Sequence, residues 1–225
     1  LSCRQALVLA LDVSGSVDTQ EYAQQTNGLA AALNTPAVRR LILDGSGQPI
    51  ALAVFEWSSR NHQYVIQPWI SIDDEDALNR AIARIQNHRK IRAGLKTALG
   101  TALLFAQDML DDQAHCWTHT IDVSADGRSN VGLTPQGAYQ AGFDRITVNA
   151  LVIGNPQSAS GQGQGIAPDA LVAYFETDVI HGPDSFAMIA DGYADYARAM
   201  QRKLERELQP MMIGNQQTRP THTPG

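Results

Sequence analysis

Leu7-Val8-Leu9-Ala10-Leu11-Asp12-Val13-Ser14-Gly15-Ser16 is an apolar run that breaks off into an acid followed by two hydroxyls at every second residue. A Leu- and Val-rich run of this length predicts a buried parallel strand. Asp12, Ser14 and Ser16 converge on one point only if the chain turns sharply after Asp12, and Gly15 supplies the freedom for that turn. Carboxylate and hydroxyl oxygens gathered in this way suit a small hard cation such as Mg²⁺, which keeps its remaining positions for water or a ligand. The same residues also read as a strand-to-helix turn in which Ser16 or Asp18 caps the helix. Residues far from this stretch decide between the two.

The chain has 225 residues, 44% hydrophobic and 18% charged, which suits one α/β domain large enough to bury a full sheet. A net charge of −6, with no basic face standing out, argues against nucleic acid. No apolar run is long enough to span a bilayer, so direct membrane insertion is not expected. The two cysteines bear on the compartment. Cys3 lies nine positions before Asp12 and Cys116 ten before Asp126. If those acids end neighbouring parallel strands, the cysteines come level at the opposite end, where a disulfide fits. That predicts a periplasmic or secreted protein with its signal peptide removed; the alternative is two separate thiols in a reducing compartment.

Working outward, Asp18-Thr19-Gln20-Glu21 has capping-box form and predicts a helix to about Asn34, restarted by Pro36. Ile50 to Phe55 reads as a second buried strand. Tyr64 to Pro68 reads as an edge strand joined to it by a hairpin, the spacing being too short for a parallel crossover. Helices are expected over Ile72 to Lys90, from near Thr97 to Met109, over Pro135 to Phe143, Ala167 to Val179 and Tyr193 to Leu208. Strands are expected over Thr118 to Ser124, Ile146 to Ile153 and Ser185 to Ile189. Gly154 to Gly165 is a low-complexity Gly/Ser/Gln loop. Its Gly161-Gln-Gly163-Gln-Gly165 is a poor dinucleotide fingerprint, with Ile166 in place of the third glycine. Strands alternating with helices give a doubly wound, mostly parallel six-stranded sheet with one antiparallel edge strand and helices on both faces. Residues 1–208 form the domain and residues 209–225 a polar, flexible tail.

Two further segments complete a pattern. Lys96-Thr97-Ala98-Leu99-Gly100-Thr101-Ala102-Leu103 heads the helix before the fourth strand, and Ala125-Asp126-Gly127 ends that strand. Together with Asp12-Val13-Ser14-Gly15-Ser16, in this order and spacing, they resemble the metal-ion-dependent adhesion site (MIDAS) of von Willebrand factor A domains, over roughly residues 5 to 207. The resemblance implies that Ser14 and Ser16 bind a divalent ion directly, with Asp12, Thr97 and Asp126 bound directly or through water. Lys96, preceded by Leu95, stands where glycine is common in the family. Thr101 is a substitute for Thr97, and an ordinary helix cap is the alternative role for Thr97 itself. Mg²⁺ is the expected ion, with Mn²⁺ or Ca²⁺ as alternatives.

In that family the open coordination position accepts an acidic side chain, so the expected partner is a protein presenting an Asp or Glu carboxylate. A basic rim of Lys90, Arg92 and Lys96 would favour it. No catalytic residues are expected. A metal-dependent hydrolase, and a structural domain whose ion is bound but unused, are the alternatives. His115, Cys116 and His119 are placed at the end of the strand away from Asp126, as half of a disulfide and two ordinary histidines. Asp122 falls roughly 13 Å below Asp126 at about 3.3 Å per residue, too far to share its ion. It is expected to hydrogen-bond to backbone or a nearby hydroxyl, with Ser124 available to support the site.

Overall fold

A computed structural model describes residues 2–44, 47–91, 93–154 and 166–209. Six strands form one sheet: β1 (Cys3–Asp12), β2 (Ile50–Trp57), β3 (Gln63–Ile72), β4 (Cys116–Ala125), β5 (Ile146–Ile153) and β6 (Ala187–Ala190). Their spatial order is β3-β2-β1-β4-β5-β6, and every pairing is parallel except β2 with β3. The chain therefore winds outward from β1 to one edge, then returns to lay β4 on the free side of β1 and winds to the other edge. The reversal lies between β1 and β4, and ligands of open α/β sheets bind outside the carboxyl ends of the strands at such a point.

The two faces separate by residue parity, as the strand period requires. Leu7, Leu9, Leu11, Leu52, Val54, Leu151 and Ile153 pack under α1 (Thr19–Leu33), α2 (Pro36–Leu43), α3 (Glu75–Asn87) and the closing helix, Tyr196–Glu207. Val8, Ala10, Ala53, Ile121, Val123, Ala150 and Val152 pack under α4 (Leu99–Asp111), α5 (Pro135–Tyr139) and α6 (Pro168–Tyr174). The closing helix is α7.

Most departures from the expected bounds have local causes. Helix α3 starts after Asp74, whose carboxylate accepts from Ala77 N–H, and stops where His88 turns extended. Helix α4 begins two residues after Thr97, whose N–H donates to Asn130 Oδ1 and whose carbonyl accepts from Asn130 N–H; Thr97 is not its cap. Helix α5 ends at Tyr139 because the Gln107 side chain donates to the carbonyls of Ala141 and Gly142, and Gly142 takes φ +106°. Phe175–Val179 continues α6 as a π turn, and Tyr193–Asp195 is a 3₁₀ turn leading into α7. Strand β3 runs longer than expected, its Pro68 falling where the β2–β3 register shifts, on the edge where a missing N–H costs no ladder bond. The Gly154–Gly165 loop, from residue 155, and the tail, from residue 210, lie outside the described residues.

Cys3 and Cys116 are register partners at the amino ends of β1 and β4 and form a disulfide, with Cα atoms 4.5 Å apart. They are grouped with His115, but the two sulfurs are spent on each other and the site is far along β4 from Asp126. Among the described residues no helix is long and apolar enough to cross a membrane.

Candidate metal centre

Asp12 is the last residue of β1 and is fully buried. One carboxylate oxygen, Oδ1, accepts from the Ser14 N–H at 2.8 Å, so the turn after the strand folds back onto its own acid. The other, Oδ2, is buried without a hydrogen-bond donor. Gln25 on α1 donates to the Asp12 carbonyl, and the Val13 N–H donates to Trp57 of β2, which fixes the turn from both sides.

Asp126 follows β4, the neighbour of β1, and is half-buried. Its Oδ1 accepts from the Ser16 hydroxyl at 2.8 Å, joining the two segments across the sheet's switch point. Burial, then the Asp126 charge, push the Asp12 carboxyl up to about 8. Burial raises Asp126 as well, against the pull of the Ser16 hydroxyl. Among the described residues no lysine or arginine pairs with either acid. Two carboxylates and an orphaned oxygen thus share a buried corner with no positive side chain to balance them, a donor set that fits a divalent cation.

The third segment reaches the same corner. Gly15 packs against Leu95, so closely that a Cβ there would come within 3.1 Å of the Leu95 backbone. The loop is held by Ser58, whose Oγ accepts from the Gly94 N–H and whose carbonyl accepts from the Ala98 N–H. Buried Thr97 is tied to the loop after Asp126 through Asn130 and Ser129. Two hydrogen bonds join expected residues directly, Asp12 with Ser14 and Ser16 with Asp126, while the loop carrying Thr97 touches the Gly15 turn through Leu95 and the loop after Asp126 through Asn130 and Ser129. Thr101 lies in the first turn of α4.

The expected basic rim is less uniform. Lys96 is exposed, but the Lys90 ammonium is committed to the Val17 carbonyl and lies 5.9 Å from the centroid of the Tyr22 ring. Arg92 lies outside the described residues. One expectation away from the site is corrected. Asp122 pairs with the ammonium of Lys203, 2.7 Å away, and not with backbone or a hydroxyl; the closing helix supplies a cation that strand spacing does not reveal. Ser124 shares a hydrogen bond with Tyr196.

The sequence reading missed two features at the rim. Buried Tyr193, in the turn after β6, has a hydroxyl without a hydrogen bond that faces the site; after burial, the Asp126 and Asp12 charges raise its pKa most. Glu56, at the carboxyl end of β2, is fully buried and accepts from Tyr22 Oη at 2.8 Å, with His62 Nε2 at 3.0 Å and His88 Nε2 at 3.4 Å. An acid closing an otherwise apolar strand was a readable signal for Glu56. Tyr193 had none, because only the sheet order brings that turn to Asp126.

The fold is that of a von Willebrand factor A domain. Proximal thread matrix protein 1 from the mussel byssus superimposes with a TM-score of 0.63 at 16% identity, covering 92% of this chain and 48% of that one. A further structure of that protein, described as having a zinc-occupied MIDAS motif, gives 0.59 at 11%, covering 92% and 46%. The von Willebrand factor type A protein from Catenulispora acidiphila gives 0.57 at 17%, covering 92% and 43%. The pilus adhesin SpaC from Lactobacillus rhamnosus GG gives 0.63 at 12%, covering 92% and 31%. The chain spans less than half the length of each of these structures. By sequence it belongs to the family described as "Protein of unknown function (DUF1194)", whose model matches residues 2–212. No curated protein is significantly similar to it.

Proposed function

We propose that this domain binds a protein partner through a divalent cation held by Asp12, Ser14, Ser16, Thr97 and Asp126. The observation that carries the reading is the pair of uncompensated carboxylates at the ends of β1 and β4, with Asp12 Oδ2 buried and undonated. A bound cation supplies the missing positive charge and an open position; two carboxylates on a rim site leave it attractive to a third, from a partner's Asp or Glu. Mg²⁺ suits the all-oxygen set, with Mn²⁺ and Ca²⁺ as competitors. The zinc in the mussel protein's MIDAS motif supports a divalent ion at this place in the fold.

The surroundings suit contact with a protein. Leu95, 80% exposed, stands beside Gly15 at the site's edge. On the other side of the Thr97 loop an open cleft of about 570 Å³ is lined by Arg60, Asn130, Leu133 and Tyr174, with Leu133 exposed. A partner carboxylate on the ion would bring its neighbouring side chains over these groups. The role is binding and not catalysis: the matched structures include a thread matrix protein and a pilus adhesin. The disulfide supports an exported, oxidising location. Residues 1–208 act as one domain.

Calorimetric titration of chelator-treated protein with Mg²⁺ and Mn²⁺, repeated on Ser16→Ala and Thr97→Ala, tests the ion site. One-to-one binding weakened in both variants is expected. Binding unchanged in both would mean that the ion, if any, sits elsewhere. The protein should then be retained in Mg²⁺ on an immobilised peptide carrying Asp or Glu and released by chelator.

A further inference from the structure

Lys203 of α7 is fully buried, an unusual fate for a lysine. Its Nζ donates to Glu207 Oε1, one helical turn on, at 2.6 Å, and lies 2.7 Å from Asp122 Oδ1 in the middle of β4. All three side chains are wholly excluded from solvent. Glu207 Oε1 also accepts from Asn149 Nδ2 at 2.7 Å, and Asn149 is the β5 register partner of Asp122. The Phe186 ring covers the group, its centroid 5.3 Å from Nζ and 3.8 Å from the Arg206 guanidinium.

This is not an ordinary ion pair. Neither Asp122 oxygen has a hydrogen bond, although Nζ is within 2.7 Å of one of them: the nitrogen donates to Glu207 and meets Asp122 outside hydrogen-bond angles. With every group ionised, the triad would hold one uncompensated negative charge in a dry core, which is costly. Burial first, then the Glu207 charge, push Asp122 up to about 8, against the pull of Lys203. A neutral Asp122 acid beside a lysine nitrogen that already donates to a carboxylate is the reactant state of an amide condensation, held at contact distance.

We propose that Lys203 and Asp122 join in an intramolecular isopeptide bond, with Glu207 as the proton-transfer group. Nζ gives one proton to Glu207 and, as a free amine, attacks Cγ of the Asp122 carboxylic acid. The Nζ–Cγ bond forms and the Cγ–Oδ bond to the departing hydroxyl breaks. Of the two protons the nitrogen sheds, one leaves with that hydroxyl as water and the other stays on Glu207. No oxidant, cofactor or metal takes part. The products are a neutral amide, a neutral acid and a released water, so the core loses all its charges. The bond ties α7 to the central strand.

The mass of the intact, denatured, unreduced full-length protein decides the matter. The expected mass is one water below that of the sequence with its disulfide. Fragmentation of a protease digest should yield a branched pair joining the peptide of Asp122 to that of Lys203. Glu207→Gln, with folding checked by circular dichroism, should keep the full mass. Wild-type protein that retains the full mass after prolonged incubation at neutral pH, with no branched peptide, overturns the proposal and leaves the triad ionic. Because the wild type alone gives this answer, a variant that fails to fold does not obscure it. A folded Glu207→Gln protein that forms the bond as fast as wild type would overturn the role given to Glu207.

Discussion

Replacing Asp126 by Asn removes a charge that the metal-free protein holds at a cost, so it should stabilise that form while abolishing its response to cation. Asp12 titrates at about 8 in the fold, against an ordinary value of 3.8, with burial and then Asp126 as causes. Over that interval the folded protein keeps a proton that the unfolded chain has lost, so metal-free stability falls as pH rises from the ordinary carboxylate range to about 8. For carboxylates sharing one site, roughly 5–6 Å apart at an effective dielectric near 20, the mutual repulsion is about 3 kcal/mol. Asn retains an oxygen to accept from Ser16, so the bond across the switch point survives. Wild type and variant should therefore have similar stability near pH 4–5 and diverge as pH rises, the variant ahead by up to about 3 kcal/mol near pH 9. Urea unfolding in chelator, followed through the buried Trp57, measures this directly. In Mg²⁺ at a hundredfold excess over its Kd that gap should all but close, wild type gaining about 2.7 kcal/mol and the variant nothing. A variant less stable than wild type at pH 9 in chelator, or equally stabilised by Mg²⁺, would refute the reasoning.

Four other perturbations have defined outcomes. Cys3→Ser with Cys116→Ser releases a constraint spanning 113 residues of sequence, and should lower the stability measured by denaturant unfolding by up to about 4.8 kcal/mol in the chain-entropy model. Gly100→Ala would drive a Cβ to 2.7 Å from the Leu133 carbonyl carbon and 2.8 Å from Thr134 O, so a loss of about 3 kcal/mol on thermal unfolding is expected. Tyr22→Phe takes a donor from the buried Glu56 carboxylate and should cost about 2 kcal/mol, read in the same way. Leu95→Ser should leave stability and Mg²⁺ titration unchanged, because that side chain is 80% exposed, while weakening retention on an acidic-peptide column.

Much of this was legible because it is written in local or periodic terms. Apolar runs of strand length, Asp18 and Glu21 closing a capping box, and prolines opening α2 and α5 are interactions between near neighbours, and the helices they predicted begin where expected. The two acids and two cysteines needed one further assumption, that β1 and β4 are adjacent; given it, the register levels the cysteines and puts Asp126 one residue beyond the position opposite Asp12. What stayed hidden depends on which distant segments meet. The true start of α4 was set by Asn130 taking the Thr97 N–H across a loop, and the end of α5 by a side chain from α4.

By itself, then, the sequence determined the alternation of strands and helices, the face each strand residue takes, and the oxygen-bearing residues that end β1 and β4, since period and short-range chemistry suffice for these. Only the tertiary structure decided that Asp12 is left with an undonated oxygen, that Tyr193 faces it, that Lys90 is spent on Val17, and that Lys203 meets Asp122 and Glu207 in the core. The physical reason is the same in each case. The charge state and partners of a buried group are set by everything packed around it, and those neighbours arrive from positions along the chain that no local pattern connects.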